Sequence, residues 1–440
     1  MSLHPMLQQL RAADPVLRIG HVRKVMPTHI EADGPAVQLG ALCEVETWRD
    51  GERGTLCAEV VRVDRNAVVL SPFEQSASTF SGARVTALPD AGSVLVGAGF
   101  LGRAVDALGR PIDDGAAIRT PHRHPLGGEP VSPLDRGSPA VVLETGVRAI
   151  DGLLTLGRGQ RVGIFAASGV GKTSLMAQIA RQTAADALII CLVGERGREV
   201  ESLWNQWLTP ELRQRATLVA ATSDQAAAVR VRAAHYALAL AEHWRGEGKH
   251  VLFVLDSVTR LAMAMREIGL GAGEPPTVRA YTPNVFAAIP KLVERCGALK
   301  SGGAITALMT VLSESDEVDD PVCEMMKSLL DGHIVLSRAL AETGCFPPID
   351  VLRSVSRQAE GLVSEAQQRP ARQVLEWLSL YESSRTLVEA GLYAKGSNER
   401  IDRAIECHPR IVRFLRQDRN DPSSLAATRK ALTQLSTERG

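Results

Sequence analysis

Residues 166 to 173 read Ala-Ala-Ser-Gly-Val-Gly-Lys-Thr, an order of residue types that can hold a polyphosphate. Gly169 and Gly171 let the backbone turn its N–H groups inward on an anion, and Ser168, Val170 and Ser174 complete the cradle. Lys172 can reach the terminal phosphates, and the Thr173 hydroxyl can hold Mg²⁺. The usual form of this loop opens with Gly, and here that position is Ala166. Ala cannot adopt every conformation open to Gly, yet the residues that bind phosphate and metal are all present.

Two more segments carry groups suited to the same chemistry. In Val193-Gly-Glu-Arg196 an apolar run delivers Glu195 and Arg196, and in Val251-Leu-Phe-Val-Leu-Asp256 another run ends in a carboxylate. The second is the companion signature of a nucleotide site, with Asp256 supporting the metal. Hydrolysis needs an attacking water to be oriented and relieved of a proton, which a carboxylate one hydrogen bond away can do. Glu195 is the candidate. A lone Glu at a strand end would be read as a surface charge; the phosphate loop and Asp256 tip the reading to catalysis. Arg196 and Arg260 would offset charge on the terminal phosphate, and both serve equally well as salt-bridge residues. Phosphoryl transfer often uses a further cation at the transition state. Arg357, in Ser354-Val-Ser-Arg357, lies beyond the last expected strand, which suits an arginine reaching into a neighbouring subunit, although spacing alone says little.

These groups must be carried by strands and helices that bring them together. Apolar runs predict strands at Arg161–Phe165, Ala187–Val193, His250–Leu255, Ala304–Leu312 and His333–Leu336. The patterns between them are helical, including Ser174–Arg181 after the loop and Asp224–Arg245, with an N-cap at its start and glycines at its end. Alternating strands and helices make a parallel sheet, whose ligands bind at the carboxyl ends of the strands. All three motifs above fall at such ends. Residues 19–88 read differently, as short β runs at His21–Met26, Ala36–Leu39, Leu42–Trp48, Thr55–Val63 and Ala67–Leu70, which predict a small β-barrel. Pro121–Pro139 reads as an extended connector. Beyond about residue 366 the pattern is helical, with turns at Gly391, Gly396 and Pro409. Residues 1–18 form a short amphipathic segment, either a terminal helix on its own domain or a docking handle. The expected division is thus 1–18, a barrel at 19–88, an α/β nucleotide domain at 89–365 and a helical domain at 366–440.

The chain has 440 residues, enough for two or three domains, with 45% hydrophobic and 23% charged residues. Fifty basic residues balance fifty acidic ones, which argues against a bulk grip on nucleic acid. The seven cysteines show no CxxC pair and several sit in apolar runs, so they read as reduced, buried hydrophobes of a cytosolic protein. No stretch is long and apolar enough to span a bilayer, and the start lacks a signal-peptide core. Peripheral membrane attachment stays open.

The runs Thr145–Asp151, Gly159–Ala166, Arg266-Glu-Ile-Gly-Leu270, Gly273-Glu-Pro-Pro276 and Asp331–Arg338 resemble the type III secretion and flagellar export ATPases, relatives of the catalytic subunit of rotary ATP synthases. The likeness runs from about residue 20 to about 416. It implies a β-barrel, a RecA-like P-loop ATPase domain and a C-terminal helical domain, assembled as a homohexamer at the cytoplasmic face of the inner membrane. It further implies ATP and Mg²⁺ as cofactors, hydrolysis coupled to releasing substrates from chaperones and unfolding them, and stator, central-stalk and export-gate partners. By the same resemblance Lys172 and Thr173 bind phosphate and Mg²⁺, Glu195 activates water, Asp256 supports the metal and Arg357 is an arginine finger for the adjacent subunit. Phe346 would lie against adenine, with Phe414 contributing, although core packing is the ordinary explanation for either ring.

Some positions depart from the family pattern. The loop Arg279-Ala-Tyr-Thr-Pro-Asn-Val-Phe286, the acidic Glu314-Ser-Asp-Glu317 and Lys327 differ from the usual Arg-Gly-Tyr-x-Pro-Ser-Val-Phe, Glu-Gly-Asp-Asp and Arg. They bear on coupling to the stalk rather than on hydrolysis. A rotary synthase catalytic subunit would carry an acidic, Leu-rich lever where this chain has Gly391–Ile405. A non-catalytic subunit would have lost Glu195 or Lys172, and an RNA-translocating ring would want basic residues with aromatics on the barrel, where only Trp48, Phe73 and Phe80 occur. Within the export class the overall likeness, above all at Ala404–Gln417, leans to a virulence injectisome over a flagellum.

Overall fold

The computed structural model describes residues 17–74, 78–89, 92–313 and 320–437. The expected amphipathic segment and the acidic run Glu314–Glu317 therefore lie outside the described residues, apart from Leu17 and Arg18.

The N-terminal strands close into a barrel in the order Ile19–Val25, Ile30–Ala32, Val68–Pro72, Glu52–Val63, Leu42–Arg49, Arg84–Ala87 and back to the first. Alternate residues point inward, so Cys43 and Val45, Leu56, Ala58 and Val60, and Ile30 and Ala32 fill its core. The strand expected at Ala36–Leu39 is instead a loop. Gly34, Pro35 and Gly40 punctuate it, Ala41 N–H turns back on the Gln38 carbonyl, and the strand in its place is Ile30–Ala32.

A larger sheet follows, ordered 349–356, 332–336, 161–166, 304–312, 250–256, 187–193, 216–221, 103–105. Every pairing along it is parallel except the first. Its central strands are apolar on both faces because both faces are covered. In Ala187–Val193, Ile189, Cys191 and Val193 join one core, while Leu188, Ile190 and Leu192 join the other. Helices Ala227–Gly246, Val258–Gly271 and Pro283–Glu294 supply the first core; helix Lys172–Gln182 and the C-terminal helices supply the second. Three of these sheet members were not foreseen, Arg103–Val105, Ala216–Ala221 and Ile349–Ser356. The helix expected from Asp224 begins at Ala227 with no side-chain cap, because residues 222–225 form a turn in which Thr222 N–H donates to Gln225 Oε1.

Helices Glu365–Glu389, Glu399–Leu415 and Leu425–Thr437 form the C-terminal part. Gly391 and Gly396 do turn the chain, both at positive φ. Pro409 does not: it lies inside the second helix. Losing one amide bond there is offset by packing, since the neighbouring His408 ring stacks on Tyr381 of the first helix at 3.6 Å. All seven cysteines are free, and only Cys57 is less than buried. No helix among the described residues is long and apolar enough to cross a membrane.

Candidate active site

Register brings the three sequence motifs to one edge. Ala166 pairs with Leu312, Leu192 with Asp256 and Leu255 with Met309, so the phosphate loop, Glu195, Asp256 and Ser313 all follow the carboxyl ends of neighbouring strands. Gly169 and Gly171 take positive φ values of 81° and 98°, which turns the loop into the helix that starts at Lys172. That helix has Gly171 as its N-cap and no side-chain cap, so its first amides and dipole face the loop's concave side. Ala166 is the last residue of its strand and is absent from the positive-φ positions. A glycine is therefore not required there, which explains the departure from the usual motif.

Lys172 Nζ lies 2.5 Å from Asp256 Oδ1, and Thr310 Oγ1 donates to the same oxygen at 2.7 Å. Thr310 was not anticipated; a threonine in the otherwise apolar run 304–312 is the signal that could have found it. Among the described residues no group of three His, Cys, Asp or Glu side chains could hold a metal. One carboxylate beside a threonine hydroxyl does fit Mg²⁺, which keeps waters and binds through one or two carboxylates plus substrate phosphates.

Glu195 follows Gly194, whose φ of 71° makes the turn off the strand. The stem of Arg260 packs on that glycine: a Cβ there would sit 3.0 Å from Arg260 Cδ. Ser223 N–H fixes the Glu195 carbonyl at 3.0 Å, and Arg260 Nε donates to Glu195 Oε1 at 3.2 Å. Glu195 as a whole is 8% exposed. Burial, then repulsion from Asp256 and a hydrogen bond with Glu199, push its pKa up to about 7, while Lys172 and Arg260 pull the other way. Glu199 is also penalised by burial, but its bonds to Glu195 and to Arg196 N–H leave it below the usual range. Of the two arginines expected near the phosphate, Arg260 is thus engaged with Glu195, and Arg196 is exposed beside Glu199.

A cavity of about 300 Å³ continues from the loop. Ser174, Leu175 and Gln178 of the loop helix form one wall, Phe346–Pro348 another and Gln417 a third. Phe346 is 51% exposed, the state of a ring with a face to offer. Phe414 is not in this wall. It belongs to the buried face of its helix with Ala404, Cys407 and Ile411, is 9% exposed, and packs against Gly152 and under Arg148. In this structure its ring is thus packed in the core and does not line the cavity.

Arg357 lies apart from all of this. The strand Ile349–Ser356 runs antiparallel and pairs Ser356 with Gly332, so Arg357 emerges at the amino edge of the parallel strands, where its N–H donates to Asp331 O. Its guanidinium rests on the carbonyls of Lys327 and Ser328. The six residues Arg161–Ala166 separate the two edges, roughly 20 Å at strand rise.

Comparison with known proteins gives a consistent set of likenesses. Residues 146–356 match the model of the ATP synthase alpha/beta family, nucleotide-binding domain, and residues 363–434 that of the T3SS EscN ATPase C-terminal domain. The chain is 42% identical to the flagellum-specific ATP synthase of Bacillus subtilis over 99% of both chains. It is also 42% identical to the type 3 secretion system ATPase of Sinorhizobium fredii, covering 93% of this chain and 90% of that one. Among solved structures it resembles the assembled ATPase EscN of enteropathogenic E. coli at TM-score 0.89 and 38% identity, over 95% of this chain and 100% of that one. The structure of EscN with its central stalk EscO scores 0.86 at 37% identity with the same coverage. The flagellar and secretion relatives thus share the same identity, 42% each, and the flagellar one matches over the larger share of both chains.

Proposed function

We infer the function from one premise: the chain belongs to the ATP synthase alpha/beta family, in the branch of flagellum-specific and type 3 secretion ATPases, and is an ATP-hydrolysing enzyme. The reading that geometry supports best is a motor of a type III protein-export apparatus, with its active site shared between adjacent copies. The observation that carries it is the convergence of Lys172, Asp256 and Glu195 on one sheet edge with Arg357 on the other.

In the mechanism Gly169, Gly171 and the first amides of the loop helix cradle the phosphates. Lys172 exchanges its contact with Asp256 for the terminal phosphates, and Thr310 keeps the freed carboxylate aimed. Thr173 and Asp256 would hold Mg²⁺, which when bound would offset negative charge on the phosphates. Glu195 accepts the proton of the attacking water, a task suited to a carboxyl with a pKa of about 7. Phe346 stacks on the base. Arg357 of the adjacent copy supplies the last cation at the transferring phosphoryl group, because its own site is a strand length away.

The partners follow the relatives. EscN is described as assembled and in complex with its central stalk EscO, and this chain is proposed to form a homohexamer around a stalk of that kind. Binding of stator proteins and chaperone–substrate complexes, substrate unfolding, and peripheral docking on the export gate at the inner membrane complete the reading. Lys172→Ala and Glu195→Gln test the core of it. The first should lose nucleotide binding; the second should keep binding and lose turnover. Substantial turnover by Glu195→Gln removes Glu195 as the base.

A further inference from the structure

We propose that Gln178 reads the nucleobase, as an amide matched to adenine and mismatched to guanine. The proposal rests on the Phe346 cavity being the base site. Two glutamine amides line that cavity, and they differ in what they have left to offer. Gln417 is fully committed: its Nε2 donates to the carbonyls of Gly146 and Asp421 at 2.7 and 2.8 Å, and its Oε1 accepts from Arg148 N–H at 2.8 Å. It ties the C-terminal helices to residues 146–148 and has no donor to spare. Gln178 is 4% exposed, and its buried Nε2 has no hydrogen-bond partner.

A buried amide donor left unpaired costs free energy. The loop helix otherwise buries Leu175, Met176, Ala177, Ile179 and Ala180, so an apolar residue at 178 would pack without that cost. Gln178 stands one turn beyond Ser174 on the same wall. It lies six residues along the helix from Lys172, about 9 Å at helical rise, the direction in which a nucleotide extends from its phosphates to its base.

The chemistry selects the base. Adenine presents an acceptor ring nitrogen beside its N6 amino donor, and a glutamine amide meets both at once. With the amide turned so that Nε2 meets the ring nitrogen, Oε1 receives the amino group. Guanine places O6 where the amino group would be, against Oε1, and on its Watson–Crick edge it also turns an N–H toward Nε2. Phe346 by contrast stacks on any base, because every base has a π face. Ring and amide thus divide affinity from discrimination.

Dissociation constants for ADP and GDP, measured by calorimetry so that no turnover intervenes, test this. The unsubstituted protein should prefer ADP by about 5- to 100-fold, the discrimination of one bidentate contact. Gln178→Leu should erase the preference by weakening ADP. Gln178→Glu, an acceptor only, should move the ratio further toward GDP. Phe346→Ala should weaken both nucleotides and leave the ratio alone. If both Gln178 variants melt normally and keep the original ratio, or lose both nucleotides equally, Gln178 does not read the base although the pocket reading survives. If Phe346→Ala changes neither affinity, the base lies elsewhere and the proposal falls with the pocket.

Discussion

Replacing Arg260 by methionine keeps the stem that packs on Gly194 and removes the charge that faces Glu195. Two unit charges about 4 Å apart interact by about 1 kcal/mol in water and about 4 kcal/mol at a partly buried site. The Arg260 side chain is 35% exposed and Glu195 Oε1 accepts from it at 3.2 Å, so solvent screening pulls the value toward the lower end. About 1.4 kcal/mol is a tenfold change in the ionisation of Glu195. Its pKa stands at about 7, and the base works only when deprotonated, so kcat/KM should climb with pH through about 7 and then level off. Without Arg260 the proton is held more tightly and the climb moves to about pH 8. At pH 7 the ionised fraction falls from about one half to about one tenth, a loss of about fivefold, and by pH 9 the variant should catch up. A pH–rate series of kcat/KM, which reports the free enzyme, decides the matter. A loss that is the same at every pH would refute this reasoning and assign Arg260 to the phosphate instead of the base.

Arg357→Ala should leave ADP affinity unchanged and lower turnover by about 10³-fold or more; mixing it with Glu195→Gln subunits should restore activity, and no recovery would refute the shared site. Phe414→Ala should cost about 3–5 kcal/mol in a denaturant melt yet leave nucleotide affinity as it was, whereas weakened ADP binding would return Phe414 to the pocket. Gly303→Ala drives a Cβ to within 1.9 Å of the Arg245 carbonyl, so a loss of about 1–3 kcal/mol is expected, and an unaltered melt would show that the neighbouring backbone moves freely aside.

The chemistry was more legible in the sequence than the scaffold. Apolar strands that end in Glu195 or Asp256, and a loop that enters a helix at Lys172, announce themselves because buried parallel strands are unbroken apolar runs. The strand Ala216–Ala221 lacks β-branched richness, being half alanine, and Ile349–Ser356 carries the polar residues of an edge, so neither stood out. Ala36–Leu39 has strand-like residues but spends its hydrogen bonds on a turn. Pro409 read as a break because a proline's lost donor is visible in one dimension, while the stacking that compensates it is not. Phe414 shows the same limit: an aromatic in a family position and an aromatic on the buried face of a helix are the same letter. Gln178 and Thr310 were open to notice as polar residues in apolar periods, but which polar group stays unpaired depends on neighbours far along the chain.

Under the proposed shared site, with Arg357 a strand length from the cradle of its own polypeptide, fuel consumption would be a property of assembly. A newly made copy diffusing alone would bind ATP and leave it intact, so a cell could keep a reserve of parts without a standing drain on its energy charge. In that arrangement a member lacking Arg357 would silence only the neighbour it serves, and one lacking Glu195 only its own site, so damage in one copy is felt at an address set by which half it has lost.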